Sequence, residues 1–364
     1  MTRPAKVLEV CSYPPPRAGW SMRAEVVTKA LRAGGHECVA LNTGSSRRVP
    51  SSEYETVMDP LDFVRKLWRF SMAGYVIHAH VNGDSPKGFV RTLLCELIGL
   101  ATGKRCYLTF HAGVDQIYFP RPKAPALLPV YWLMFAIPRF IICNSAAVKA
   151  RIVEYGVPAR KVVPIPAFTK QYLEFTPARL PAHVEAFLER TCHTLFAYIR
   201  VRPGFNLATL AEGFALVAQG HPGAGLLIVG VTEDIDAAIW SDLQQRLDTH
   251  GVASRVCVVD DFDHDAFLTV VTRSALYVRT PTTDGVSSSV LEAMALGVPI
   301  VAAENGTRPA GVVTFRADDP ADLARKIEHV LNHRAEVVAA MPKPEIQDTL
   351  SDEIAVLTGT WVTS

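Results

Sequence analysis

Asp284 and Glu292, two acids with seven residues between them, are the side chains in this sequence best placed to act together. The stretch that carries them, residues 278–306, reads VRTPTTDGVSSSVLEAMALGVPIVAAENG. Its serines, Ser287, Ser288 and Ser289, are helix-starting residues, and the first turn of a helix offers free backbone N–H groups at the positive end of its dipole. A phosphate fits there. Glu292 falls about one turn further on, on the polar side of the predicted helix, where a carboxylate can accept two hydrogen bonds from a sugar diol. Phosphate and diol side by side describe a sugar nucleotide.

The flanking pattern supplies the elements that position these groups. Leu276–Arg279 is a short apolar run with β character, and the Thr/Pro/Asp/Gly cluster after it is turn chemistry. Val290, Leu291, Met294 and Ala295 give the helix an apolar face, which stops at Gly297 before Pro299. That is one βαβ unit with its loop at the carboxyl end of the first strand, where parallel sheets bind ligands. Earlier in the chain, Val7–Cys11, the helical pattern Met22–Ala33, the Gly34-Gly35 stop and Glu37–Leu41 open a Rossmann-like domain, with the loop Pro14–Ser21 as a wall of its binding site. A second such domain starts with Thr194–Arg200 and continues through Leu207–Gln219, Gly225–Gly230, Arg255–Asp260 and Ala266–Ser274. Composition shifts to turns and a charged helix before it, so the expected organisation is a domain over 1–170, a linker over 171–192, a domain over 193–340 and a tail over 341–364.

Other residues invite chemistry and are weighed against plainer roles. Val76–His80 reads VIHAH, with His78 and His80 on one side of a strand; no third ligand of Cys, His or carboxylate follows at a useful spacing, which favours a structural strand end over a metal site. His111 ends the strand Arg105–His111, and Ala112-Gly113 leave room beside it, which suits a hydrogen-bond donor to a sugar hydroxyl or carbonyl. Asp261-Phe-Asp263 has the acid-x-acid form of a divalent-metal motif, but its place deep in the second domain suits a loop near a nucleotide base. The helical stretch Leu61–Phe70 carries Arg65, Lys66 and Arg69 beside aromatics; such a helix can lie on an anionic membrane surface, though a core-facing helix with a solvated rim is the commoner outcome.

Composition narrows the classes. Lys and Arg number 37 against 36 acids, so nothing in the global charge argues for nucleic acid. The 364 residues are enough for two apolar cores. Seven cysteines are scattered singly, with no CxxC, and read as reduced core residues of a cytoplasmic protein. The start, MTRPAKVLEV, has a charge inside its apolar run and reads as a first strand, not a signal peptide. Pro129 and Pro138 interrupt the most apolar stretch, Ala124–Cys143, which excludes it as a transmembrane helix.

The stretch 278–306 resembles the acidic-x7-Glu signature of the retaining GT-B glycosyltransferases of family 4, and LEAMALGVPIVA is nearly word for word that family's segment. Asp284 stands where the family usually has Glu. Weaker matches follow in the right order across residues 6 to 335. Gly19 matches the family's Gly-rich loop, with Trp20 where a second glycine is common. LTFHAG resembles the Thr-x-His-Gly segment whose His faces the donor sugar, and IICNSAAVKARIVEYGVPARKVVPIPAF is similar to the segment that closes the first domain. Arg200 matches an Arg that neutralises the donor diphosphate. The family's following Lys is missing or has become Pro203, and Arg202 is expected to substitute for it, since guanidinium binds phosphate in bidentate fashion.

The resemblance implies an α/β protein of GT-B class, two Rossmann-like domains facing each other across a deep cleft, with the tail returning to the first. It implies transfer of a sugar from a nucleoside diphosphate sugar to an acceptor hydroxyl with retention, in bacterial-type polysaccharide or glycoconjugate assembly. Arg200, Arg202 and the helix start formed by Gly285, Val286, Ser287, Ser288 and Ser289 would stabilise the leaving diphosphate. Glu292 would hold the ribose, Asp284 the sugar hydroxyls, and His111 the sugar from the opposite domain. No metal and no cofactor are implied beyond the nucleoside diphosphate sugar as co-substrate. The partners implied are that donor and a glycan or lipid-linked acceptor, with the chain cytoplasmic and peripheral on the inner membrane face. Three alternatives remain open: a sugar-nucleotide epimerase on the same fold, a catalytically weak binding or scaffold protein, and a metal-dependent transferase of the other large architecture built on Asp261 and Asp263.

Overall fold

A computed structural model describes residues 4–14, 19–83, 85–114, 116–231, 235–282 and 287–361. The chain divides into two compact units, Met1–Gln171 with Gln347–Ser364, and Tyr172–Ile346.

In the first unit strands and helices alternate: β1 (Lys6–Cys11), α1 (Gly19–Ala33), β2 (Glu37–Asn42), α2 (Pro60–Met72), β3 (Val76–Val81), α3 (Pro86–Ala101), β4 (Tyr107–Phe110), α4 (Leu128–Ala136), β5 (Phe140–Cys143), α5 (Ala146–Val153) and β6 (Val162–Pro164). The strands form one parallel sheet of order β2-β1-β3-β4-β5-β6. Caps fix the helix starts: Asp59, Ser85 and Ser145 each accept a first-turn backbone N–H, contacts that typically contribute about 1 kcal/mol apiece. Strand periodicity sorts the side chains. Leu8, Val10, Ile77, Ala79, Leu108 and Phe110 share one core with Phe63, Leu67, Phe89 and Tyr131 of α2, α3 and α4. Val7, Val76, Tyr107 and Ile142 face the other way, onto Val27 and Leu31 of α1.

The second unit repeats the plan with α6 (Ala182–Arg190), β7 (His193–Tyr198), α7 (Leu207–Gly220), β8 (Ala224–Val229), α8 (Ala237–Thr249), β9 (Val256–Val259), α9 (His264–Arg273), β10 (Leu276–Arg279), α10 (Ser288–Ala295), β11 (Ile300–Ala303), β12 (Val313–Phe315), α11 (Pro320–Asn332) and α12 (Arg334–Ala340). Its parallel sheet has the order β12-β11-β10-β7-β8-β9. One face packs on α7, α8 and α11 through Leu195, Leu226, Ile228 and Val301. The other packs on α6, α9 and α10 through Phe196, Leu227, Tyr277 and Ile300. Each such fully buried side chain contributes on the order of 1.5–3 kcal/mol. The stretch expected as a linker thus carries α6, whose Val184 and Phe187 are core residues of this unit.

The chain then returns to the first unit as α13 (Thr349–Thr358), which lies against α1. Arg23 Nε meets Glu353 Oε2 at 2.7 Å with both side chains buried, and Arg23 Nη2 donates to the Thr349 carbonyl at 2.8 Å. Breaking a buried pair of this kind typically costs about 3–5 kcal/mol. Among the described residues no helix is long and apolar enough to cross a membrane. Six of the seven cysteines are buried, as the sequence suggested, but Cys192 is exposed.

Each sheet has a switch point where strand order reverses, between β1 and β3 in the first unit and between β7 and β10 in the second. Loops at the carboxyl ends of these strands are where open α/β sheets take their ligands.

Candidate functional site

In the second unit the switch point is bounded by the loop after β7, which holds Arg200 and Arg202, and by the segment between β10 and α10. Arg200 is held from two neighbouring strand ends: Nη1 donates to the Gly230 carbonyl at 3.3 Å and Nη2 to the Tyr198 hydroxyl at 3.0 Å, with Asp261 Oδ2 at 4.0 Å. Gly230 has φ +100°, and a Cβ there would lie 2.3 Å from the Ile199 carbonyl oxygen, so only glycine lets the strands approach this closely. Arg202 is exposed and lies over the Phe205 ring at 5.3 Å. Asn206, in the left-handed region at φ 50°, ends this loop, and its Nδ2 donates to the Thr280 carbonyl.

Asp284, Gly285 and Val286 lie outside the described residues. On the far side of them Ser287 precedes α10 without capping it; its Oγ pairs with Ser289 Oγ at 2.9 Å, and Ser289 Oγ with the Tyr277 hydroxyl at 2.8 Å. The hydroxyls of Ser287 and Ser289 are thus tied to each other and to the strand; the Ser287 carbonyl accepts from the Val290 and Leu291 N–H groups, but no side-chain cap takes the N–H groups of Ser288 and Ser289 ahead of them. Such groups are the natural partners of an anion.

Glu292 is not on a solvated face of α10. It is 5% exposed, among the buried residues of that helix. Burial alone pushes its carboxyl up to about 8, from an ordinary 4.5. His264 Nε2 stands 3.9 Å from Oε1 but donates to the Tyr172 carbonyl at 2.7 Å. Among the described residues, no donor reaches the Glu292 carboxyl within hydrogen-bond distance. A carboxyl on a residue so withdrawn from water, with no protein donor, is suited to a ligand that supplies donors.

In the first unit His111 lies one residue beyond β4, in a polar seam on the α1 side of the sheet. Glu9 of β1 sits at its centre, with Oε1 2.9 Å from His78 Nδ1 and Oε2 2.8 Å from His80 Nε2. His78 Nε2 lies 2.7 Å from Thr109 Oγ1, and His80 Nδ1 lies 2.9 Å from His111 Nε2. Burial pushes the Glu9 carboxyl up, but the attraction and hydrogen bonds of His78 and His80 outweigh it and hold it at about 2. The same carboxylate overcomes burial to raise His78, whereas burial and His78 lower His80. Burial, then His80, His78 and Arg23, hold His111 well below the ordinary histidine range. An ionised Glu9 only accepts, so neutral His80 donates from Nε2 and accepts at Nδ1. His111 must then donate from Nε2, which leaves its Nδ1 as a lone pair. Toward a ligand the ring is therefore an acceptor, where the sequence reading had offered it as a donor.

Sequence spacing missed this seam because Glu9 lies 69 residues before His78. Its period-2 place on β1, opposite the histidines of β3, was the available signal. Glu9, His78 and His80 bring three ligand atoms within 4.8 Å of one another, so the third group absent from local spacing comes from β1. Each of those atoms is already hydrogen-bonded within the network. Gly19, read as part of a loop, is the first residue of α1, and Trp20 beside it places its ring 5.8 Å from that of His111. Asp263 caps α9 through the Ala266 N–H, and Asp261 accepts from the Phe262 N–H and the Tyr198 hydroxyl. The sequence reading also passed over Arg279, whose Nη1 donates to the Tyr198 carbonyl at 3.1 Å, and Arg308, whose Nη2 donates to the Pro281 carbonyl at 2.8 Å. Both brace the switch-point loops.

Residues 194–333, the body of the second unit, match the family model for Glycosyl transferases group 1. The chain is a glycosyltransferase. Alr3699/HepE of Anabaena, solved in complex with UDP, is similar over 98% of this chain and 100% of that one, at 16% identity and a TM-score of 0.72. Sucrose-phosphate synthase of Thermosynechococcus elongatus is similar over 98% of both chains, at 17% identity and a TM-score of 0.64. A putative UDP-N-acetylglucosamine 2-epimerase of Listeria monocytogenes matches 98% of this chain and 97% of that one, at 13% identity and 0.68. At such identities the likeness is one of fold, and the fold is GT-B, two Rossmann-like domains. Comparison with curated protein sequences gives no match.

Proposed function

We propose that this glycosyltransferase moves a sugar from a nucleoside diphosphate sugar to an acceptor hydroxyl with retention at the anomeric carbon, in the assembly of a polysaccharide or glycoconjugate. One observation carries the reading: Glu292 is a buried carboxyl without a hydrogen-bond donor among the described residues, in α10 at the switch point of the second sheet. Two adjacent hydroxyls of a ribose supply the donors it lacks. The nucleotide's phosphates then fall near the start of α10, with Arg200 and Arg202 on the opposite loop. Solved structures of similar fold were determined with UDP and with UDP-glucose, which supports a uridine nucleotide as the first donor to try.

In the proposed reaction the bond from the anomeric carbon to the diphosphate oxygen breaks, and the electron pair leaves with the diphosphate. The acceptor oxygen bonds to that carbon from the same face, and its proton passes to the departing phosphate oxygen. The demand on the protein is electrostatic, and Arg200, Arg202 and the N–H groups of α10 meet it. Asp284 is assigned to the donor-sugar hydroxyls, and His111 accepts from one of them through Nδ1. The positive charge comes from arginines, so no metal is needed in this scheme, and a chelator leaves turnover unchanged. A lipid-linked acceptor, with peripheral membrane contact through the first unit, fits the exposed Leu61, Trp68 and Met72 along α2 beside Arg65 and Arg69.

The test is a UDP-glucose turnover assay with and without a panel of glycan and lipid-linked acceptors. Slow UDP release without acceptor, stimulated by one acceptor class and giving an unepimerised sugar in its original anomeric configuration, supports the proposal. Release of an epimerised sugar, or binding with no turnover under any condition, rejects it in favour of an epimerase or a binding protein.

A further inference from the structure

The first unit holds a cavity of about 530 Å³ between the loop after β2 and the starts of α2 and α3. Four cations line it: Arg47, Arg48, Lys87 and Arg91. Its one acid, Asp59, has Oδ1 committed to the Asp62 N–H at the cap of α2. Among the described residues none of the four cations is in an ion pair; Arg47 donates to the Gly44 carbonyl and Arg48 to the Met58 carbonyl, which leaves most of their N–H groups for a ligand.

Arg91 is the telling residue. It is partly buried, and among the described residues it has no hydrogen-bond partner and only the thiols of Cys95 and Cys11 act on its charge. Desolvation accordingly holds its guanidinium below the ordinary arginine range. An unpaired cation withdrawn from water destabilises the protein that carries it, and a fork of five N–H donors facing a cavity is suited to a phosphate oxyanion. Apart from Thr43, whose hydroxyl donates to the Cys11 carbonyl, the remaining lining is apolar and includes Val57, Phe63, Val90 and Leu94. The space is of the size that takes an organic ligand, far more than a bare phosphate fills. Val90 and Met58 at this cavity are exposed, and exposed apolar side chains continue from them along α2 (Leu61, Trp68) and α3 (Leu97, Leu100).

We propose that this cavity binds the phosphate of a lipid phosphate, with the phosphate on Arg91 and its neighbouring cations and the start of the hydrocarbon chain on Val57, Phe63 and Leu94. As a binding site it stands on the first unit alone; its use for anchoring a lipid-linked acceptor rests on the transferase proposal above.

The experiment titrates the full chain by calorimetry with dodecyl phosphate below its micellar concentration, with inorganic phosphate, and with a neutral dodecyl maltoside, and records thermal midpoints with and without each. Dodecyl phosphate should bind at least tenfold more tightly than either control. Arg91→Met should weaken it at least tenfold and, without ligand, raise the thermal midpoint, because an isolated charge has been removed; a merely structural arginine would lower it. Lys87→Ala, at an exposed position, serves as the second variant and should weaken dodecyl phosphate severalfold with an unchanged midpoint. Equal binding of inorganic and dodecyl phosphate would overturn the lipid assignment. Unchanged binding in both variants, or a lowered midpoint in Arg91→Met, would overturn the site. UDP binding, measured on the same samples, should be the same in all three proteins; its absence would count against the transferase proposal without touching this one.

Discussion

Glu292 offers a test in which stability and binding move in opposite directions. In the unliganded protein its carboxyl sits at about 8 instead of 4.5, so the group is mostly protonated at pH 7 in the folded state and ionised when unfolded. A raised folded pKa means stability is fully present below pH 4.5 and is lost as pH rises toward 8, by about 3 kcal/mol at pH 7 and about 5 kcal/mol above pH 8. If the ionised carboxylate is the form that accepts two ribose hydroxyls, binding must first release a proton. Donor affinity then rises about tenfold per pH unit well below pH 8 and flattens above it, about 50-fold between pH 6 and pH 8. UDP-glucose is the proper probe because its esterified diphosphate does not titrate in this range, whereas free UDP does. Calorimetry at several pH values, repeated in buffers of different ionisation enthalpy, gives both the slope and the number of protons released. Glu292→Gln should lose most of the affinity at pH 8, show no slope, and unfold at a higher temperature than wild type at the same pH. A wild-type affinity that is flat from pH 6 to pH 8, or a Gln variant with the same slope, would refute the reasoning.

Glu96 is a control of the same physics without the ligand: burial pushes its carboxyl up to about 9 and neither oxygen has a hydrogen-bond partner. Glu96→Met should raise stability by about 2–3 kcal/mol at pH 7 in denaturant titrations, more at pH 8 than at pH 5, and leave UDP-glucose affinity unchanged. Glu9→Gln strips the partner from a buried histidine pair and should cost about 3–5 kcal/mol in the same titrations. Because the Glu9 carboxyl is held at about 2, its contribution in the wild type is present above pH 4.5 and fades as pH falls toward 2, a slope the variant should lack. Arg202→Ala should weaken UDP-glucose by about 1.5–3 kcal/mol, the range for a charge-assisted hydrogen bond, as read by calorimetry at fixed ionic strength; an unchanged affinity rejects its assignment to the diphosphate. Arg200→Lys keeps the charge but loses the fork held by Gly230 and Tyr198, and should lower turnover more than it weakens binding.

The elements of this protein were legible in its sequence because what specifies them is local. The run Leu276–Arg279, the serines at the start of α10 and Gly297 after it determined a strand, a helix start and a stop within a few residues of one another, and alternation along β1, β3 and β4 determined which residues share a face. Local pattern misjudged Glu292, since three- to four-residue spacing puts it on the rim of a helix viewed alone, whereas its exposure depends on what packs around that helix. The same reason hid the seam of Glu9, His78, His80 and His111: parallel pairing brings together residues some seventy and thirty positions apart, and no spacing rule reaches that far. Arg91 is a cation on a helix until the fold shows that, among the described residues, no carboxylate pairs with it. Residue types and their order thus fixed the architecture and named the groups able to do chemistry. Which of those groups are ionised, which are satisfied and which wait for a ligand was decided only by tertiary structure, because desolvation and hydrogen-bond partnership depend on long-range contacts.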